Sequence, residues 1–222
     1  MTLGEERPVV VERVVTPRGE LVLRRAGTHF EVVSNGTFLM DTRSGASERL
    51  LVRAALDATS ATAPRVLVGG LGVGFSVAEA CADPTVVAVT VVEVEPVLVG
   101  WHATHLRPVS GAALTDPRVR VVVADLADWL AGTDESFDAV CLDVDNGPDW
   151  TVVTANDVLY RPDGVRMLAR HLGPGGALSV WSCARSVAFE SVLGERFRSV
   201  RVVECPVERG PPDVVYLAHD PR

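Results

Sequence analysis

From residue 65 onward the chain alternates short, unbroken aliphatic runs with longer stretches whose apolar positions recur three or four apart. The stretch 65–95 (RVLVGGLGVGFSVAEACADPTVVAVTVVEVE) sets the pattern: a valine-rich run, a glycine loop, a helix-like segment, and a second valine-rich run ending in acids. Strands covered on both faces of a sheet read as continuous aliphatic runs, so two buried parallel strands with a crossover helix are predicted here. Further strands are predicted at 119–123, 139–142 and 177–181, with helices at 96–106 and 161–172 and a turn at Pro174-Gly175-Gly176. The runs 200–204 and 214–218 are joined by a short Pro/Gly-rich segment. That connection is too short for a parallel crossover, which predicts an antiparallel hairpin.

The first sixty residues have a different rhythm. The segments 9–14, 20–25, 29–33 and 37–40 are short and β-rich, and Asn35-Gly36 between two of them is the two-residue hairpin signal. The same residues open a glycosylation sequon, Asn35-Gly36-Thr37, but the turn reading is preferred. Residues 44–59 place Leu50, Leu51, Ala54, Ala55 and Ala58 at helical spacing, with charges between. The expected organisation is a small antiparallel β layer plus linking helix over 1–60, then an α/β domain over 61–222: a Rossmann-like, doubly wound, seven-stranded sheet ending in the antiparallel hairpin.

Composition narrows the chemistry. The 222 residues carry a formal net charge of −8, which disfavours a nucleic-acid partner. No apolar run approaches the ~20 residues of a membrane span, and MTLGEERPVV has no signal-peptide core, so a soluble cytoplasmic protein is expected. The chain contains no lysine, glutamine or isoleucine, which removes Schiff-base chemistry and the Walker lysine. Cys81, Cys141, Cys183 and Cys205 are scattered and read as reduced, small core residues. His102 and His105 lack a third ligand at useful spacing, so a solvated or capping role is preferred and no metal site is expected.

Candidate chemistry gathers at the predicted strand ends. Gly70, Gly72 and Gly74 form G-x-G-x-G, which lets the backbone turn sharply and approach a ligand, whereas the third glycine of the dinucleotide fingerprint would fall on Phe75. Glu93, about 20 residues past the loop, is placed to accept hydrogen bonds from ribose hydroxyls. Asp125 and Asp143 follow two further strands, at the edge where open α/β sheets bind ligands. The terminal hairpin matches the fold of S-adenosylmethionine-dependent enzymes.

The glycine loop, V-E-V-E, D-P-R-V-R-V-V-V-A-D and L-D-V-D-N-G-P together resemble the polyamine aminopropyltransferases, the spermidine synthase-like group, along nearly the whole chain. The resemblance implies a nucleoside sulfonium ligand held by the loop glycines and by Glu93 and Val94 at the ribose. It also implies Ala124, Asp125 and Leu126 at the adenine, Asp143 facing the incoming nucleophile, and a homodimer. Two departures stand out. The loop aspartate understood to hold the amino end of the decarboxylated ligand is replaced by Gly72, and the diamine-gripping tyrosine and glutamine fall near Ala46 and Ser47. An aspartate at position 72 would repel the carboxylate of intact S-adenosylmethionine and glycine would not. The expectation is therefore a methyltransferase using S-adenosylmethionine on a small amine or electron-rich aromatic acceptor. An aminopropyltransferase using decarboxylated S-adenosylmethionine and a non-catalytic nucleoside-binding protein are the alternatives. Asp143 is the candidate catalytic residue, orienting the acceptor and taking its proton. Asp145 and Asn146 shape the same loop, and Trp150 and Tyr160 are candidate walls for the acceptor.

Overall fold

The computed structural model describes residues 7–207 and 210–222. The start of the chain, on which the absence of a signal core was read, lies partly outside the described residues.

Four strands open the chain: β1 (Val9–Thr16), β2 (Gly19–Ala26), β3 (His29–Ser34) and β4 (Thr37–Asp41). They form a separate antiparallel sheet in sequence order. Asn35 and Gly36 make the predicted hairpin, with φ of 49° and 82° between the paired residues Ser34 and Thr37. Asn35 also braces the preceding hairpin, accepting from the Glu20 amide and donating to the Arg18 carbonyl.

Helix α1 (Ala46–Ala58) leads into β5 (Arg65–Gly69), α2 (Phe75–Ala82), β6 (Ala88–Glu93), α3 (Pro96–His102), α4 (Arg107–Ser110), β7 (Val119–Val123), α5 (Leu126–Gly132) and β8 (Phe137–Leu142). Then come α6 (Asp157–Tyr160), α7 (Pro162–Arg170), β9 (Leu172–Ser182), α8 (Val187–Arg196), β10 (Phe197–Cys205) and β11 (Asp213–Pro221). The second sheet has the order β10-β11-β9-β8-β5-β6-β7. The five strands β5 to β9 run parallel, and β11 pairs antiparallel with both β9 and β10. This is the expected doubly wound, seven-stranded sheet with its terminal hairpin.

The aliphatic runs are explained by burial on both faces. Val66, Leu67 and Val68 of β5 are all 0% exposed. Successive side chains of a strand point to opposite faces. Val66 and Val68 accordingly join the layer of α1 and α2, and Leu67 joins that of α5, α7 and α8. A third cluster fastens the small sheet to the large one: Leu21, Leu23 and Val32 pack with Phe75, Leu98, Trp101 and Leu106. Arg118 of the D-P-R motif is a brace, donating to the carbonyls of Cys81, Asp83 and Val86.

Three boundaries differ from expectation. The helix expected over 96–106 stops at His102, and a new turn begins at Arg107 with a proline in its first positions. Pro108 has no N–H to donate to the Thr104 carbonyl and its ring crowds that carbonyl, so one helix cannot continue through this turn. Pro174-Gly175-Gly176 lies inside β9, where four residues of that strand, 173–176, oppose the single Asp138 of β8: Phe137 pairs with Leu172 and Ala139 with Ala177. Gly175 has φ of 70°, so the segment is a wide bulge built from turn residues. Cys81, Cys183 and Cys205 are half-buried, leaving Cys141 as the fully buried thiol among the four.

Candidate active site

The glycine loop owes its path to contacts that only glycine permits. Gly70 has φ of 89°, and a Cβ there would stand 2.1 Å from the Asp143 carbonyl oxygen. Gly74 has φ of 97°, and its Cβ would meet Ser110 and His102 at 2.8 and 3.0 Å. Gly72, with φ of 51°, faces freer space, where a Cβ would touch only the Met40 sulfur at 3.4 Å. Leu71 between them donates its amide to Glu93 Oε2 at 2.9 Å, while Glu93 Oε1 accepts from the Glu95 amide at 2.8 Å. Burial pushes the Glu93 carboxyl up, and those two amides pull against it. Glu93 thus pins the loop to the end of β6.

The strand ends open onto one cavity of about 930 Å³. It is lined by Gly70, Gly72, Gly74, Glu93, Val94, Ala124, Asp125, Leu126, Asp143, Asp145, Asn146 and Trp150, twelve of the thirteen sequence candidates. The small sheet forms the opposite wall, with Thr16, Arg18, Leu21, Val32 and the β4 residues. Its attachment is polar as well as apolar. Thr16 donates to Glu95 Oε1 at 3.1 Å, and Arg18 lies 4.0 Å from the same oxygen.

Asp125 caps α5, its Oδ1 accepting from Ala127 and Asp128. Oδ2 accepts nothing within the described residues and is left for a ligand donor. Asp145 is spent differently. It has φ of 62°, and its carboxylate accepts from the amides of Asn146, Val152 and Val153 and from the Asn156 side chain. Asp145 therefore folds the loop over 146–156. Asn146 is buried and accepts from the Cys183 amide. Trp150 is 56% exposed at the cavity rim. Tyr160 is the one candidate placed away from the cavity. Its ring packs edge-on against Phe189, and its hydroxyl donates to the Val144 carbonyl at 2.5 Å.

Asp143 sits half-buried at the inner end. Its amide donates to Gly69, and its Oδ2 accepts from the Ser76 hydroxyl at 2.7 Å. Burial first, then the nearby Glu48 carboxyl, with Asp213 and Glu93 adding to it against the Ser76 hydrogen bond, pushes the Asp143 carboxyl up to about 7. Ser47 Oγ lies 2.9 Å from Glu48 Oε2 and 2.7 Å from Asp213 Oδ2. One hydroxyl proton cannot satisfy two charged carboxylates, and burial raises both acids. The inner end is thus an acidic pole primed to hold protons or cations.

Sequence reasoning missed this pole. Glu48 stood among the charges of the 44–59 helix, Ser47 was noted only as lying where the family's diamine grip is lost, and Asp213 carried no motif. His102 is buried rather than solvated. Its Nε2 lies 2.9 Å from the Gly72 carbonyl, so it caps the glycine loop, and burial pushes its pKa down. Of the solvated and capping roles expected for it, His102 takes the capping one.

No family model matches the chain. Among curated proteins it is 32% identical over 164 residues to the polyamine aminopropyltransferase of Mycobacterium tuberculosis (strain CDC 1551 / Oshkosh), covering 72% of this chain and 30% of that one. It is 28% identical over 174 residues to polyamine aminopropyltransferase 2 of Ralstonia nicotianae, covering 77% and 33%. The chain spans about a third of the length of the curated relatives it matches. Among solved structures, a spermidine synthase in complex with the transition-state analogue AdoDATO superposes with a TM-score of 0.77 at 16% identity, covering 94% of this chain and 73% of that one. The spermidine synthase of Thermotoga maritima gives 0.76 at 14% identity, covering 94% and 71%.

These relatives overturn the expectation of a methyltransferase working on intact S-adenosylmethionine, since they are named for aminopropyl transfer. The physical fault lay in reading Gly72 alone. Its open side meets the apolar Met40 rather than a cation. The cavity lining carries eight carboxylic side chains against Arg18 and Arg43, and Arg43 is already paired with Glu31 and Asp41. Removing one aspartate from such a cavity does not make it a receptor for a carboxylate.

Proposed function

This chain is spermidine synthase-like in sequence and in fold, and on that premise we propose that it transfers an aminopropyl group from decarboxylated S-adenosylmethionine to a small amine. The observation that carries the reading is the acidic inner end of the cavity, where Asp143 is joined by Glu48 and Asp213. A sulfonium donor and a protonated amine both bring positive charge, and both lack the carboxylate that this pole would repel.

In this reading residues 61–222 bind the nucleoside and residues 1–60 close the cavity over it. Glu93 and Val94 lie at the ribose, Asp125 offers its uncommitted oxygen to the adenine amino group, and Ala124 and Leu126 flank the base. Asp143 takes a proton from the acceptor ammonium. The freed nitrogen lone pair attacks the propyl carbon, the C–S bond breaks, and its electron pair stays on sulfur as the neutral thioether leaves. Holding the two reactants in line in a partly water-excluded cavity supplies much of the acceleration. Asp143, raised to about 7, is matched to that proton transfer near neutral pH.

The test is a product assay by mass spectrometry with decarboxylated S-adenosylmethionine and putrescine, run beside intact S-adenosylmethionine. Aminopropylated amine from the decarboxylated donor supports the reading. Calorimetric binding of the intact donor alone, with no aminopropylated product, would refute it.

A further inference from the structure

We propose that Ser76 is a positioning residue for Asp143, holding its carboxyl in one orientation both before and after the carboxyl takes up a proton. The inference rests on the aminopropyl-transfer reading, but the geometry behind it is separate. Ser76 is 1% exposed, in the first turn of α2, and it is the only side chain among the described residues that hydrogen-bonds the Asp143 carboxyl. The other titratable groups near that carboxyl are the acids Glu48 on α1, Glu93 at the end of β6 and Asp213 at the start of β11, with the neutral Cys141 thiol of β8 and the Tyr160 hydroxyl of α6, which is already given to the Val144 carbonyl. The acids exert repulsion when ionised and supply no donor to fix its direction.

The Ser76 hydroxyl has two acceptors within reach, Asp143 Oδ2 at 2.7 Å and the Glu48 backbone carbonyl at 3.4 Å. While Asp143 is ionised, the hydroxyl donates to Oδ2. When the acceptor ammonium gives its proton to Asp143, the new O–H donates to Ser76 Oγ, and the serine proton turns to the Glu48 carbonyl. One proton moves from nitrogen to carboxyl, no other bond is made or broken, and the heavy atoms stay in place. A hydroxyl suits this exchange because it is donor and acceptor at once. Ser76→Ala removes both halves of it at little change in volume.

The experiment compares wild type with Ser76→Ala, using melting curves to establish that the variant is folded. Both forms lose a hydrogen bond, and because the one to the charged form is the stronger, the acid limb of the kcat–pH profile should rise by about one pH unit. It should lower kcat roughly tenfold while leaving KM for the nucleoside unchanged. The Asp143 carboxyl, followed by 13C NMR without substrate and assigned with Asp143→Asn, should titrate higher by the same amount. An unmoved acid limb together with an unmoved titration overturns the proposal. Should wild type yield no aminopropylated product, the transfer reading fails by itself. The titration then decides Ser76: an upward shift supports its hold on the carboxyl, and no shift overturns it.

Discussion

Asp143→Asn should make the protein more stable at alkaline pH while abolishing turnover. The substitution removes a charge from the acidic pole and keeps an oxygen for Ser76 to donate to. The carboxyl is raised from 3.8 to about 7 by the fold. A gap of about three units corresponds to an upper bound of ~4 kcal/mol. Asp143 still borders an open cavity, and Glu48 and Asp213 can take up protons in its place, so about half of that, ~2 kcal/mol, is the working figure. Because the folded carboxyl keeps its proton to higher pH than the unfolded one, the folded state binds more protons between about pH 4 and pH 7. Wild type therefore loses stability as pH rises through that window and levels off above it. The asparagine variant lacks this loss. Urea unfolding should show the two proteins differing little near pH 4 and by ~2 kcal/mol at pH 8, where melting should rise by roughly 4–8 °C. A difference of the same size at both pH values, or a variant less stable than wild type at pH 8, would refute the assignment of strain to this carboxyl.

Gly70→Ala should cost about 3 kcal/mol or more, since its Cβ would stand 2.1 Å from the Asp143 carbonyl on a backbone at φ of 89°; urea unfolding measures it. Gly72→Asp, with only the Met40 sulfur at 3.4 Å, should cost no more than about 1 kcal/mol. It should tighten binding of decarboxylated S-adenosylmethionine roughly tenfold by calorimetry, by adding a carboxylate for the ligand's ammonium. Asp125→Ala should lose about 1 kcal/mol from the α5 cap and weaken nucleoside binding in the same titration.

The large sheet was legible because buried parallel strands leave a plain mark, valine-rich runs such as 66–68 and 86–92, and because the short link before β11 allowed only an antiparallel return. The glycine-loop half of the cavity was legible for a related reason. Its residues follow those runs directly in sequence, so finding a strand end located Gly70, Glu93, Asp125 and Asp143 together. The acidic pole was not, because it is built across the sheet rather than along the chain. Ser47 and Asp213 are 166 positions apart and meet only when α1 packs beneath β11. Glu48 sits among ordinary helix-surface charges, and no pattern marks it as facing inward. Tyr160 failed for the opposite reason. Its neighbourhood in sequence is the site's loop, but the α6 turn rotates its ring into the core against Phe189.

The wall of the cavity draws on Thr16 near one end of the chain and Asp213 near the other. A compound long enough to span it touches the small sheet, the glycine loop and the last strand together, so its binding energy is delivered to the whole fold. A compound at a hundred times its dissociation constant adds about 2.7 kcal/mol to unfolding. A melting screen across diamines and longer polyamines would therefore rank these amines by affinity without a single catalytic cycle.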